Sequence, residues 1–458
     1  MSPHQPKPDS PARSALLLRS LRKKYPRAVR GEGIYLWDAS GKKYLDFSGS
    51  AAVNFIGHRV KEVTAAVVEQ AAKLEFVHSS QFTTEVAERF AQEVLDFAGP
   101  AYTGGQVFFT SGGSEAVESA LKLARQYQVE CGRPKRYRMV SRRQAYHGAT
   151  LGALAASGNK RRREIYLPLV KENDAFLHVG LPYCYRCDYR CQECAAKYAK
   201  EVELVLLESR GTVAAVIAEP MSGATLGAAA PPEGYLQRLA ELCTLNDCLF
   251  IADEVMTGWG RTGRNLAVEH WRVEPDILVL AKGLTSGYMP LGAVIAKPHV
   301  ADAIDSGTGA LVHGFTYNNH PLATAAGSAV LKVIREQDLV ASADSETGEA
   351  GVALKQQLSS LSDLESVGDV RGRGLLWGVE FVSDRVAKTP YPSSSVFSAK
   401  VADAAAKRGV LVYPMQGSVD GTLGDHILIA PPAVITPDEI CKAAQRLREA
   451  IEEVQKSA

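Results

Sequence analysis

Asp276-Ile277-Leu278-Val279-Leu280-Ala281-Lys282-Gly283 holds five consecutive apolar residues between an aspartate and a lysine. Unbroken apolar runs of this length are typical of parallel strands buried on both faces. Two other runs are built alike: Ala215-Val216-Ile217-Ala218 ends at Glu219, and Cys248-Leu249-Phe250-Ile251-Ala252 ends at Asp253. Around them, from about residue 60 to 320, helical patterns alternate with short apolar runs. That alternation predicts an α/β domain with a mainly parallel sheet and helices on both faces. Ligands of such sheets bind beyond the carboxyl ends of the strands. Any one of these charges alone reads as the point where a strand leaves the core. Two acids and a lysine at one sheet edge, beside the turn described next, read as a candidate active site.

Gln106-Val107-Phe108-Phe109-Thr110 reads as a strand running into Ser111-Gly112-Gly113-Ser114-Glu115. Beyond it Ala116, Val117, Ala120, Leu121 and Ala124 recur at helical spacing. A strand, a Gly-rich turn and a helix start present free N–H groups at a positive dipole end, which binds phosphate without a lysine. Ser114 adds a hydroxyl donor or serves as the N-cap. The Gly-Lys-Ser/Thr ending of a nucleotide P-loop is absent.

A phosphate site, a lysine and an acid at one edge point to pyridoxal 5'-phosphate. Its aldehyde needs a lysine amine that is deprotonated when it moves protons, which fits Lys282. Its pyridine nitrogen needs a carboxylate that keeps it protonated, which fits Asp253. Gly283 lets the chain turn tightly after the lysine. Past a strand at Arg138-Met139-Val140 come Tyr146, able to stack on the pyridine ring, and His147, able to orient the acid or the cofactor hydroxyl. Tyr146 taken alone also reads as a core aromatic.

The 458 residues carry a formal net charge of +1, so no broad field argues for nucleic acid or an anionic membrane. The basic run Arg161-Arg162-Arg163 reads as a solvated face. No apolar stretch approaches a membrane span, and Ala15-Leu16-Leu17-Leu18 is too short for a signal-peptide core, so a cytoplasmic enzyme is expected. Residues 1–13, rich in Pro, Ser and charge, read as disordered. Four of the eight cysteines form Cys184-x2-Cys187-x3-Cys191-x2-Cys194. Thiolates so spaced can hold zinc or an iron–sulfur cluster, but the pairs stand closer than in zinc ribbons. A loop of reduced thiols or a disulfide remains the alternative.

The organisation expected is a large α/β domain over 60–322 between two pieces of a smaller α+β domain, 14–59 and 323–458. Short strands are expected at Gly33-Ile34-Tyr35-Leu36-Trp37-Asp38 and Lys43-Tyr44-Leu45-Asp46-Phe47. Others are expected at Leu375-Leu376-Trp377-Gly378-Val379-Glu380 and His426-Ile427-Leu428-Ile429.

The chain resembles the class III pyridoxal-phosphate aminotransferases, the ω-amino acid and amine transaminases of fold type I. The resemblance rests on Ser111-Gly112-Gly113-Ser114-Glu115-Ala116, Tyr146-His147-Gly148, Ala218-Glu219-Pro220, the stretch from Asp253 to Gly263, Ala281-Lys282-Gly283-Leu284, and His313-Gly314-Phe315-Thr316-Tyr317 with His320-Pro321. It covers the chain from about residue 20. It implies a large domain with a mainly parallel sheet of the seven-stranded type, and a smaller α+β domain. It also implies that Lys282 carries the cofactor, Asp253 pairs with its pyridine nitrogen, Tyr146 and Val255 sandwich its ring, and Gly113 and Ser114 hold its phosphate. Thr316 resembles a threonine that reaches the phosphate in a neighbouring subunit, which implies a homodimer with shared sites. Glu219 resembles a glutamate near the substrate that neutralises an arginine or shapes the amine pocket. The activity implied is ping-pong transfer of an amino group from a primary amine or ω-amino acid to a keto acid such as pyruvate.

Two departures stand out. Many class III enzymes bind the acceptor carboxylate with a C-terminal arginine, yet the segment from Leu411 to Pro432 contains none. Asn318-Asn319 replaces the Ser-Gly often found before His-Pro. A racemase, epimerase or decarboxylase of the same fold is the alternative reading, because fold does not fix reaction. A nicotinamide oxidoreductase is disfavoured: Gly258-Trp259-Gly260-Arg261-Thr262-Gly263 fits G-x-G-x-x-G but opens no helix and has no acid at the expected distance.

Overall fold

The computed structural model describes residues 14–170, 174–188 and 190–457; the disorder expected for residues 1–13 falls outside them. Three antiparallel strands, β1 (Ala28–Glu32), β2 (Tyr35–Asp38) and β3 (Lys43–Leu45), begin the fold. The large sheet uses β4 (Gln106–Thr110), β5 (Arg138–Arg142), β6 (Phe176–Val179), β7 (Val213–Ala218), β8 (Leu249–Asp253), β9 (Ile277–Leu280) and β10 (Gly292–Ala296). Their order is β4-β10-β9-β8-β7-β5-β6, seven strands of which only β10 runs antiparallel to its neighbours.

The three apolar runs are β7, β8 and β9, side by side at the centre, and every residue of each is buried. Hydrocarbon on both faces has nowhere to go but between helices. On one face the helix Gly113–Glu130 lays Ala116, Val117, Ala120, Leu121 and Ala124 against Ile217, Ile251, Val279 and Val294. On the other, Phe250 packs with Leu236 and Leu239 of the helix Tyr235–Leu245.

The chain's C-terminal part folds around an antiparallel sheet of β11 (Val367–Arg373), β12 (Leu376–Asp384), the short β13 (Thr389–Pro390), β14 (Tyr413–Gln416) and β15 (Asp425–Ile429). The helices Phe397–Lys407 and Pro437–Gln455 pack with it, the latter opened by Thr436 and Glu439 as a reciprocal cap. The N-terminal segment, whose three strands form a sheet of their own, is hydrogen-bonded to the residues flanking β14 and β15. Leu45 N–H donates to Gly409 O, Leu411 N–H to Leu45 O, and Ala430 N–H to Phe47 O.

The glycine-rich stretch Gly258–Gly263 forms buried turns, with Trp259 and Arg261 almost fully enclosed. The Arg261 guanidinium donates to the carbonyls of Asn54, Ala430 and Pro431, and so ties the middle of the chain to both of its ends. Burial lowers its pKa to about 9. No described helix is long and apolar enough to cross a membrane.

Candidate active site

A cavity of about 430 Å³ opens beyond the carboxyl ends of β7, β8 and β9. It is lined by Gly113, Ser114, Tyr146, His147, Glu219, Asp253, Val255 and Lys282, eight of the nine residues singled out from the sequence. Thr316 does not line it; it is exposed on the loop before the helix Pro321–Glu336. No local pattern marks the apolar wall, which includes Val53, Met221, Met256, Met289 and Leu291.

Asp253 is the last residue of β8, and its side chain faces His147 across the sheet edge. His147 Nδ1 lies 2.7 Å from Asp253 Oδ2, with both side chains at most 5 % exposed. The other carboxylate oxygen accepts from Val255 N–H at 3.1 Å. His147 Nε2 is buried with no hydrogen-bond partner among the described residues.

Lys282 follows β9 with φ +48°, a left-handed conformation that costs a non-glycine residue about 1–2 kcal/mol. Its pKa is lowered to about 8, because burial disfavours the ammonium more than Asp253 and Glu219 favour it; Arg261 and Arg162 lower it further. A larger share of the lysine is thereby neutral at physiological pH than for an ordinary lysine, as proton transfer requires.

Glu219, the residue after β7, is enclosed, and burial raises its pKa. Arg142 Nη2 donates to the Glu219 carbonyl at 2.6 Å and stands 3.8 Å from the carboxylate. This arginine, at the end of β5, was not singled out in the sequence because its partner comes from a different strand.

The helix Gly113–Glu130 starts without a side-chain cap, so its first-turn N–H groups open toward the cavity. A Cβ on Gly113 would sit 3.1 Å from Val255 Cγ1, and Ser114 Oγ accepts from Ala149 N–H at 3.0 Å. Gly148, at φ +147°, lets the Tyr146-His147 segment cross close to Ser114.

The basic run departs from its reading as a solvated face. Arg161 is exposed, but Arg162 and Arg163 are half-buried, and the Arg162 guanidinium lies 4.2 Å from the centroid of the Tyr146 ring. All eight cysteines are free thiols. Among the described residues no group of three or more His, Cys, Asp or Glu side chains is arranged to hold a metal ion.

A central parallel sheet whose strand ends carry an acid–histidine pair, a depressed lysine and an open helix N-terminus defines a fold type I enzyme site. The profile of the family Aminotransferase class-III matches residues 21–451, and the chain belongs to that family. It is 37 % identical to the uncharacterized aminotransferase YodT of Bacillus subtilis (strain 168), over 97 % of this chain and 99 % of that protein. It is 33 % identical to a probable mitochondrial gamma-aminobutyrate transaminase of Oryza sativa subsp. japonica, over 92 % of this chain and 81 % of the relative. A thermostable (S)-enantioselective omega-transaminase from Thermomicrobium roseum superposes with a TM-score of 0.88 at 34 % identity, covering 95 % of this chain and 94 % of that one. An amine transaminase from an uncultivated Pseudomonas species, solved in its PLP-bound form, gives 0.87 at 33 % identity over 99 % of both chains.

The protein is therefore an aminotransferase that acts on an amine and a keto acid, and it depends on pyridoxal 5'-phosphate. The cavity fits that group. It offers an uncapped helix N-terminus for a dianion, a buried carboxylate for a cationic nitrogen, walls that include Tyr146 and Val255, and a neutralisable lysine.

Proposed function

We propose that the protein moves the amino group of a primary amine or ω-amino acid to a keto acid, with pyruvate as acceptor, and that Lys282 and Asp253 carry the chemistry. The observation behind this reading is the meeting of Lys282, its pKa brought down to about 8, with the His147–Asp253 pair in one cavity. The transaminases named above, an omega-transaminase and a gamma-aminobutyrate transaminase among them, support the donor class.

In this reading Gly113 and Ser114 hold the cofactor phosphate, Tyr146 and Val255 cover its ring, and Asp253, steadied by His147, faces its pyridine nitrogen. When bound there, pyridoxal phosphate supplies an electrophilic carbonyl and an electron sink for charge developing at the donor carbon. Lys282 Nζ would hold the cofactor and, as a free base, would take the proton from the donor carbon. Asp253, held by His147 and by Val255 N–H, would face a cationic ring nitrogen. Glu219, enclosed beside Arg142, shapes the amine end of the pocket. The same residues serve both half-reactions, so donor and acceptor alternate in one site and the kinetics are ping-pong.

The exposed Thr316 is suited to reach the phosphate of a second copy, and we take the working unit to be a homodimer with shared sites. The free thiols suit the reducing cytoplasm. The backbone pairing of Leu45 and Phe47 with residues 409–411 and 430 supports one small domain made of 14–59 and 323–458, beside a large domain of 60–322.

The test is the absorbance of the holoprotein. A primary amine added alone should bleach the cofactor band, and pyruvate should restore it with stoichiometric formation of alanine. A band that no amine bleaches would instead favour racemase or decarboxylase chemistry.

A further inference from the structure

A keto acid brings a carboxylate into the cavity, and that charge needs a cation there. Among the described residues lining the cavity, Lys282 is the only lysine or arginine, and the reaction already occupies it. Arg142 is directed at Glu219, and Arg261 at three backbone carbonyls. Neither lines the cavity, and among the described residues the only unpaired donor of either is the buried Nε of Arg142.

Arg162 is differently placed. Its guanidinium carbon lies over the Tyr146 ring at 4.2 Å from the centroid, and Tyr146 lines the cavity, with Arg162 behind that wall. Among the described residues it makes no ion pair, and its backbone N–H is held by the Asn159 side chain at 3.2 Å. An arginine stacked on an aromatic ring keeps its planar fork pre-oriented, with its N–H edge free for a bidentate carboxylate. Its charge also reaches the reacting centre, where it is among the influences, after burial, that lower the Lys282 pKa.

The neighbouring residues fix this short helix, Lys160–Arg163, against the C-terminal part of the chain. Arg161 Nη1 donates to Gln416 Oε1 at 2.8 Å, at the end of β14. A Cβ on Gly421 would lie 2.8 Å from Lys160 Cβ, so the turn after β14 rests directly on the helix. The arginine-free segment Leu411–Pro432 thus abuts a helix that carries three arginines.

We propose that Arg162 binds the carboxylate of the keto acid acceptor, and that Arg161 is a positioning residue that holds the helix in place through Gln416. The inference rests on the acceptor being a keto acid, as proposed above. It assigns acceptor selectivity to a helix of the central part of the chain.

The experiment uses the dimeric or monomeric holoenzyme as purified, bleached with benzylamine and then titrated with pyruvate or with propanal, which lacks the carboxylate. In Arg162→Gln the pyruvate concentration for half-maximal recovery of the band should rise about 10- to 100-fold more than the propanal concentration does. Arg162→Lys should recover part of the loss, and Arg161→Gln should show a smaller rise confined to pyruvate. Equal weakening toward pyruvate and propanal, or no change toward either, overturns this inference alone. Wild-type protein that benzylamine never bleaches, or pyruvate never restores, overturns the proposed function and this inference with it.

Discussion

Nδ1 of His147 and Oδ2 of Asp253 lie 2.7 Å apart in a setting almost closed to water. At that depth the carboxylate has few other ways to be solvated, so its charge is available to a cationic ring nitrogen. Asp253→Asn should lower turnover on the order of 10³-fold while the cofactor still attaches to Lys282. His147→Gln, which removes one charge-assisted hydrogen bond, should cost about 10- to 100-fold. Single-turnover kinetics with one amine would separate the two from loss of cofactor.

Lys282 gives a pH prediction. With a pKa of about 8, the apoprotein's amine loses reactivity as pH falls below that value. Cofactor capture should accelerate about tenfold per pH unit up to about pH 8 and then level off, whereas an ordinary lysine would keep accelerating toward about pH 10. Stopped-flow absorbance of apoprotein mixed with pyridoxal phosphate measures this. Borohydride reduction should add the cofactor mass to the wild type and not to Lys282→Ala.

Gly148 tests the packing of the phosphate turn. A Cβ there would lie 2.8 Å from both Ala153 Cβ and Ser114 Oγ, at a φ of +147° that side chains rarely adopt. Gly148→Ala should destabilise the protein by about 1–3 kcal/mol and, by displacing Ser114, weaken cofactor retention about tenfold. Thermal unfolding and dialysis of the holoprotein read the two effects separately.

Glu254, next to Asp253 but turned away from the cavity, is fully enclosed, and burial raises its pKa to about 7 despite hydrogen bonds from Thr257 and from the N–H groups of Val268 and Ala267. The folded protein therefore keeps a proton on Glu254 that the unfolded chain releases near the ordinary value of 4.5. Its contribution is complete below that value and is lost as pH rises to about 7, a swing on the order of 3 kcal/mol. Glu254→Gln should remove this swing. Urea unfolding of variant and wild type at pH 5 and pH 8 would show whether the difference between them depends on pH in that direction.

The central sheet and its three strand-end residues could be read in the sequence because an apolar run closed by a charge is a local pattern. The helix behind β4 could be read for the same reason, through the spacing of Ala116, Val117, Ala120, Leu121 and Ala124. What stayed hidden depends on segments that meet only in the fold. Arg142 gains its meaning from Glu219 on another strand, and Arg161 from Gln416, 255 residues away. Arg162 lies near Tyr146 in sequence, but an arginine within a basic run looks like solvent-facing charge until a ring is seen beneath it. The methionines of the cavity wall, Met221, Met256 and Met289, sit on separate loops with no shared period.

The pairing of Leu45 with Gly409 and Leu411, and of Phe47 with Ala430, has a consequence for how the protein is made. These N-terminal strands leave the ribosome long before the residues they pair with. Closing so long a loop is entropically costly and slow. Val53, which follows these strands, forms part of the cavity wall, and Arg261 grips carbonyls from both Asn54 and Ala430. A nascent chain therefore carries its lysine and aspartate long before it owns a closed pocket, and vitamin capture waits until the segment around Ala430 has been made and paired.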